Sequence, residues 1–489
     1  MKKQLLLFTI CLFSFLTYAQ TYPGKIRGFV LEDGTEIPIA FANVVVKGLN
    51  YGAVTNSEGY FQINDVEPGS YTIEISFLGY KNFQKEVEVK SDRIVTFKAY
   101  LEEANEVLQD VEINVERQER DSKVLTGVVN LSPKEIEQFS VGGDADIVKA
   151  LQVLPGVVST GDQGGQLYIR GGAPIQNLIL LDGMIVYNPF HSIGFFSVFD
   201  VDIIQSADVY SAGFSAEYGS RNSAVVDVKT RSANRSRLAG KVSASTYSSK
   251  VLLETPLGKK NEKGLSPGSF LFSAKTSYLD QSSQIFYPYV ETEYDGLPFN
   301  FTDLYGKFSL QSDNGSNLNV FGFSFDDQVK FGGNNSVLWN TQGLGANFLI
   351  VPAASAVLMS GDFSYSDYDI AASEGGINRT SGISSFNFGL DFTYFLREKD
   401  ELKFGVEAIG YSTDFSVENQ LGVATTQAQN TTELGSYVRY KYASERLVLE
   451  PSFRIHYYGS QAEVSLEPRL AAKYNVNDWF RLKGAAGFY

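Results

Sequence analysis

Apolar and polar positions alternate along most of this chain, and the alternation changes character twice. Residues 24–103 hold short stretches of period two, such as Ile26-Arg27-Gly28-Phe29-Val30, Tyr60-Phe61-Gln62-Ile63 and Tyr71-Thr72-Ile73-Glu74-Ile75. Breaks at Asp33-Gly34, Glu58-Gly59 and Pro68-Gly69 separate them. Successive strand side chains point to opposite faces, so this spacing predicts about seven strands in a small β-sandwich. Residues 122–232 mix periods. Asp144–Gly156 predicts a short capped helix stopping before Pro155. Gln166–Gly172 and Asn177–Gly183 predict strands ended by glycine turns, and Ala224–Arg231 a closing strand.

From Leu238 to Tyr489 the alternating stretches lengthen. In Phe386–Tyr394 every second residue is apolar. Leu447, Leu449, Phe453, Ile455 and Tyr457 share one face, and Val448, Glu450, Arg454 and His456 the other. Val464, Leu466, Leu470 and Ala472 oppose Glu467, Arg469 and Lys473. About thirteen such segments with aromatic ends predict an antiparallel transmembrane β-barrel, apolar toward lipid and polar toward the lumen. His456 is then one member of a polar lumen wall. Long connectors (281–300, 327–340, 371–380, 413–430) are expected to alternate with short turns (312–316, 352–355, 398–400, 443–445). Single-chain barrels use even strand numbers, and a lumen holding a domain of roughly a hundred residues needs about 22 strands. The expectation is a partial barrel over 238–489, lacking about nine strands.

Composition agrees with a mainly β chain. There are 28 Tyr, 36 Phe and 45 Gly, but only 2 Trp and 14 Pro. Past the N-terminus no apolar run reaches the roughly 20 residues of a membrane helix. Lys2 and Lys3, the apolar Leu5–Leu16 and Ala19 form an export signal over 1–19, with Gln20 as the mature start. The one cysteine, Cys11, lies inside that apolar run, and no small residue stands before it as lipidation requires. A net charge of -15 disfavours nucleic acid as a partner. With two histidines and no mature cysteine, a His/Cys metal site is excluded and no cofactor is expected. No nucleophile elbow, zinc motif or phosphate loop is present, so an enzyme is not expected.

Segment 24–103 resembles the carboxypeptidase regulatory-like family in Asn43-Val44-Val45-Val46, Thr55–Phe61, Pro68-Gly69-Ser70-Tyr71 and Leu78-Gly79-Tyr80. That resemblance implies a transthyretin-like accessory module rather than a peptidase. In residues 122–232 the order of Arg170-Gly171-Gly172, Asp182-Gly183 and Glu217-Tyr218-Gly219-Ser220-Arg221 resembles the plug domain of TonB-dependent outer-membrane receptors. Between them, within the linker 104–121, Leu108–Val115 alternates with a period of two. By itself it reads as a strand of a neighbouring domain or as an exposed strand for a partner. The resemblance implies the second, a TonB box of Leu108, Asp110, Val111, Glu112, Ile113 and Val115 grasped by TonB.

Further roles follow from the same resemblance. Arg170 and Arg221, with Gly171, Gly172, Asp182, Gly183 and Glu217, would dock the plug to the barrel, the arginines meeting wall carboxylates. Ile185–Asp200 would be an outward loop. Tyr187, Asn188, Phe190 and His191 in it would either contact cargo or pack against the wall. The implied activity is import of a scarce solute across the Gram-negative outer membrane, with sandwich and plug on the periplasmic side. TonB and its ExbB/ExbD inner-membrane motor would drive it. Siderophore, cofactor, peptide and oligosaccharide all remain open as cargo. A SusC-like glycan importer with a SusD-like surface lipoprotein is an alternative within that class, and a non-transporting adhesion protein is one outside it.

Overall fold

The computed structural model describes residues 23–489, except 50–51, 78, 105–126, 142–143, 160–165, 192–193, 195, 263, 287–295, 332–334, 353–354, 397–399, 420, 445 and 478. Leu108–Val115 therefore lies outside the described residues.

Seven strands build the sandwich: β1 (Gly24–Glu32), β2 (Asn43–Val46), β3 (Gly52–Val54), β4 (Tyr60–Val66), β5 (Gly69–Ser76), β6 (Phe83–Val89) and β7 (Ile94–Leu101). They form two sheets, ordered β4-β1-β7 and β3-β2-β5-β6, with β1 and β7 parallel. One face of each strand supplies the core, in which Ile26, Val30, Val44, Phe61, Ile63, Ile73 and Ile75 are buried. The alternation of the sequence dictates this face. It does not account for the opposite face of β1 and β4, where Arg27, Phe29, Leu31, Tyr60 and Gln62 are also buried.

The plug sheet uses β8 (Val128–Leu131), β9 (Asn177–Leu181), β10 (Met184–Ile185), β11 (Ile204–Tyr210) and β12 (Ala224–Thr230). Its order is β10-β9-β12-β11-β8, with β9 and β12 parallel. Two short helices cover it, α1 (Pro133–Ile136) and α2 (Ile147–Gln152). Asp146 caps α2, accepting hydrogen bonds from the amides of Val148 (2.8 Å) and Lys149 (3.1 Å). The turn from β9 to β10 has two residues, Asp182 (φ 53°) and Gly183 (φ 91°). Positive φ at both positions is the tight hairpin turn for which Asp-Gly is preferred.

A single antiparallel sheet of thirteen strands follows. It runs through β13 (Ala239–Ala244), β14 (Ser248–Leu257), β15 (Gly268–Ser277), β16 (Phe299–Gln311), β17 (Asn317–Phe331), β18 (Asn335–Ile350) and β19 (Val357–Glu374). It continues through β20 (Ile377–Phe395), β21 (Glu401–Glu418), β22 (Ala424–Ala443), β23 (Leu447–Tyr458), β24 (Glu463–Asn475) and β25 (Arg481–Gly487). The faces divide as the alternation requires. Val464 and Leu466 are 60% exposed on the outer side, while Glu467 and Lys473 of the same strand are 2% and 0% exposed on the inner side. Arg454 and His456 are fully buried there as well.

The connectors differ from expectation. Segment 371–380 is strand on both sides of a two-residue Gly375-Gly376 turn, and most of 327–340 and 413–430 is strand. A twenty-residue strand such as β22 is longer than the roughly ten residues that cross a bilayer. Neighbouring strands satisfy each other's backbone groups whether or not the side chains are apolar. Polar sequence past the membrane therefore remains sheet. Within 281–300, residues 281–286 belong to α3 (Leu279–Phe286), and β16 already begins at Phe299.

Candidate functional site

The inner face of the thirteen-stranded sheet carries charge at alternate positions, and the plug meets it at several short segments. The first is Phe214–Ser220. Glu217 lies between Lys403 of β21 (2.5 Å) and Arg439 of β22 (3.4 Å), and accepts a hydrogen bond from the Ser215 hydroxyl (3.0 Å). Arg469 of β24 donates to the carbonyls of Ser215 (2.7 Å) and Tyr218 (2.8 Å). Arg454 of β23, paired with Glu407, reaches the Ala216 carbonyl. Its guanidinium lies where a Cβ at residue 219 would stand, so Gly219 lets Arg454 approach the plug backbone closely. Ser220 donates to Glu433 (2.6 Å). Burial by itself would raise the Glu217 carboxyl, but Lys403 and Arg439 outweigh it and hold its pKa at about 2.

The second segment is the Asp182-Gly183 turn. Asp182 is buried and accepts from the Thr230 amide (2.9 Å) and hydroxyl (2.5 Å) and from Tyr305 (2.7 Å), with Lys307 at 3.5 Å. The Asp182 carbonyl accepts from Asn347 (3.3 Å) and the Gly183 carbonyl from Asn387 (3.1 Å). Four wall strands, β16, β18, β19 and β20, thus meet one two-residue turn, Asp362 of β19 lying against Gly183.

The arginines expected to meet wall carboxylates do otherwise. Arg170 (φ 49°) is exposed at a turn with Gly171 (φ 81°), and its Nε donates to Ser211 of the plug itself (3.3 Å). Gly172 packs on Ser223, also in the plug. Arg221 donates to the Ser220 carbonyl (2.8 Å) and lies over the Tyr411 ring at 5.8 Å. Among the described residues neither arginine has a carboxylate within ion-pair distance. The polarity at this contact is inverted, with the acid on the plug and the cations on the wall. Lys403, Arg439, Arg454 and Arg469 could have been singled out beforehand, because a charge at an inward position of a barrel strand has no bulk water and needs a partner.

Of the four candidate cargo residues, Phe190 and His191 are buried against the wall, while Tyr187 and Asn188 are half-buried beside Tyr368 of β19. His191, 1% exposed, stacks on Phe301 with ring centres 4.2 Å apart. Its Nε2 is 2.8 Å from Asp303 of β16 and its Nδ1 is 3.4 Å from Asp327 of β17. These are ion-pair distances, although neither ring N–H is aligned for a hydrogen bond. Lys275 of β15 is the nearby cation, over the same Phe301 ring at 5.2 Å. Burial opposes the imidazolium, but the two aspartates prevail and raise the pKa of His191 from 6.5 to about 9. Charged His191 therefore supports docking fully below about pH 6.5, and that support disappears as pH rises through about 9. The linked stabilisation is on the order of 3 kcal/mol. Protease release of the plug should accelerate between pH 6.5 and 9.5, and His191→Gln should remove the acceleration. An unchanged rate across that range in the unmodified protein would refute this reading.

The geometry is that of a helix-and-sheet domain held against the inner face of an antiparallel, barrel-type sheet. Residues 26–113 match the CarboxypepD_reg-like domain and residues 121–226 the TonB-dependent Receptor Plug Domain. The chain carries both domains and is similar to TonB-dependent receptors. It is 27% identical over 224 residues to TonB-dependent receptor SusC of Bacteroides thetaiotaomicron, covering 44% of this chain and 22% of that protein. It is 31% identical over 208 residues to TonB-dependent receptor P39 of Formosa agariphila, covering 41% and 18%. The matches thus span about a fifth of these curated relatives. The fold is similar to the siderophore receptor PirA of Pseudomonas aeruginosa, with TM-score 0.56 and 17% identity over 75% of this chain and 62% of that one. It is equally similar to the alcaligin outer-membrane receptor FauA of Bordetella pertussis, with TM-score 0.56, 14% identity and coverage of 75% and 62%. At such identities the likeness is one of fold. The matched relatives are receptors rather than enzymes.

Proposed function

We propose that this protein is a TonB-dependent outer-membrane receptor that imports a scarce solute, with TonB and its ExbB/ExbD motor acting through Leu108–Val115. The reading is carried by the way the plug is held. Among the described residues its first strand, β8, is an edge strand joined to β11 alone, by four residue pairs. Net hydrogen-bond contributions of about 1 kcal/mol each make such a strand easy to peel. The alternating segment 108–115 stands a short distance before β8, so tension on it reaches β8 directly. The plug's grip on the wall combines apolar packing of its core on Leu252, Leu271, Phe321 and Phe325 with polar contacts at Asp182, Asp200, Phe214–Ser220 and Arg231, and the polar ones can be exchanged for water.

Sandwich and plug are assigned to the periplasmic side, and the apolar outer face of the sheet to outer-membrane lipid. Neither catalysis nor a cofactor forms part of this function. Deleting Leu108–Val115 from the native gene should abolish growth under the condition that induces the gene, iron starvation or a particular polymer, while leaving cargo binding at the cell surface intact. Wild-type growth of the deletion strain would remove the assignment. A second reading, a SusC-like oligosaccharide importer with a SusD-like surface lipoprotein, is favoured by the identity to SusC and P39. Induction by a glycan, together with co-purification of a lipoprotein, selects it over a siderophore receptor.

A further inference from the structure

The outward face of β1 and β4 is where an isolated sandwich would meet water. Here it docks instead. Arg27 donates to the carbonyls of Ser355 (2.8 Å) and Pro352 (2.9 Å) in the turn after β18. Phe29 fills the space above Gly315 (φ 89°) in the turn after β16. Phe29, Leu31 and Tyr60 form one apolar cluster with Leu349, Val351 and Leu358 of the wall. The Tyr60 and Phe395 rings lie 5.8 Å apart. Polar contacts extend the interface to the plug. Gln205 donates to the Ser57 carbonyl (2.6 Å) and Lys229 to the Ser57 hydroxyl (2.7 Å), and Arg235, between plug and sheet, pairs with buried Glu36 (2.5 Å). The sandwich is therefore fastened to the short-turn rim of the sheet and to the plug together.

Behind this contact lies a cavity of about 1580 Å³. Gln62 and Asn64 of the sandwich, Asp208 and Lys229 of the plug, and Asn319 and Asn387 of the wall are among the residues lining it. The side-chain oxygens of Asn319 and Asn387 are buried there without a protein partner, as polar groups facing a water-filled space would be. A solute passing the plug on this side enters a polar vestibule, and the sandwich stands across its exit.

We propose that the sandwich is a second gate, docked across the periplasmic exit and released by the same tension that peels the plug. This rests on reading the chain as an importing receptor. The connectivity supports it. Segment 105–126 joins β7 of the sandwich to β8 of the plug, so a pull on it loads both. β7 is held to β1 by eight residue pairs and β8 to β11 by four. Loaded together, β8 yields before β7. The sandwich then leaves the rim as a folded body, because its own core strands are tied more strongly than the plug's edge.

The test needs neither cargo nor TonB. Cys11, the one cysteine of residues 1–489, lies in the export signal; in the native full-length protein, with any cysteine beyond residue 489 replaced by serine, Asn319→Cys places one thiol in the vestibule. Spheroplasts are treated from the periplasmic side with a PEG-maleimide or with a small methanethiosulfonate reagent. Arg27→Ala with Phe29→Ala, which leaves the inward core positions untouched, should raise PEG-maleimide labelling at least about tenfold, since labelling follows the undocked population. Labelling by the small reagent should change far less. Gln205→Ala with Lys229→Ala loosens the dock from the plug side and should act in the same direction without altering the sandwich. PEG-maleimide labelling that stays at the parent rate in both variants overturns the gate. That result would leave the import reading standing, because import is judged by the Leu108–Val115 deletion alone.

Discussion

Glu217→Ala should loosen the plug from the wall more than any other single substitution in the plug. The change removes the one plug carboxylate between Lys403 and Arg439 and leaves two inward cations under-compensated. Breaking a buried ion pair from one side typically costs about 3–5 kcal/mol, because the orphaned charge remains desolvated. Asp391 stands 3.9 Å from Lys403, and Glu401 pairs with Arg439, so the lower end of that range is expected. Plug unfolding in denaturant, read by protease cleavage, should shift accordingly. Glu217→Gln combined with Lys403→Met should recover part of the loss, since neither charge is then left alone. The sign with pH follows from the depressed carboxyl. The lock is complete above about pH 4.5 and is lost as pH falls toward about 2. A shift below about 0.5 kcal/mol for Glu217→Ala would place this contact with ordinary surface pairs and remove its assigned role.

Residues 1–489 expressed by themselves are expected not to form a stable membrane-inserted species. Among the described residues β13 pairs only with β14, and β25 only with β24. Alternate backbone groups of each edge strand then face outward without partners. In hydrocarbon each such group costs several kcal/mol, so even about three N–H and three C=O groups per edge exceed the 5–15 kcal/mol that holds a domain folded. Heat-modifiable gel migration and protease protection in outer-membrane fractions measure this. A compact, protease-resistant monomer of this length would show that the edges close in a way the sheet order does not contain.

The membrane sheet was legible because its physical cause is local. A strand's two faces are set by residue parity, and lipid on one side against lumen on the other writes that parity into the sequence. Arg454, Glu467, Lys473, Val464 and Leu466 all point as their positions imply. The seven sandwich strands and the Asp182-Gly183 turn follow from equally local rules of alternation and φ. Strand ends past the membrane were not legible, because polar side chains in 413–430 hide a backbone ladder that needs no apolar face.

The contacts between domains depended on tertiary structure. Nothing near Glu217 in sequence announces Lys403 or Arg439, which lie roughly two hundred residues away and meet it through strand register. Arg170 and Glu217 each carry one formal charge, of opposite sign, yet the fold turns Arg170 toward its own domain and Glu217 toward the wall. His191, Asp303 and Asp327 come from three separate elements. The buried outer face of β1 and β4 likewise has no meaning within the sandwich alone. Local alternation determined which residues face inward, whereas the pairing of inward charges was decided only when the separate domains docked, since a desolvated charge takes whatever partner the assembled lumen places beside it.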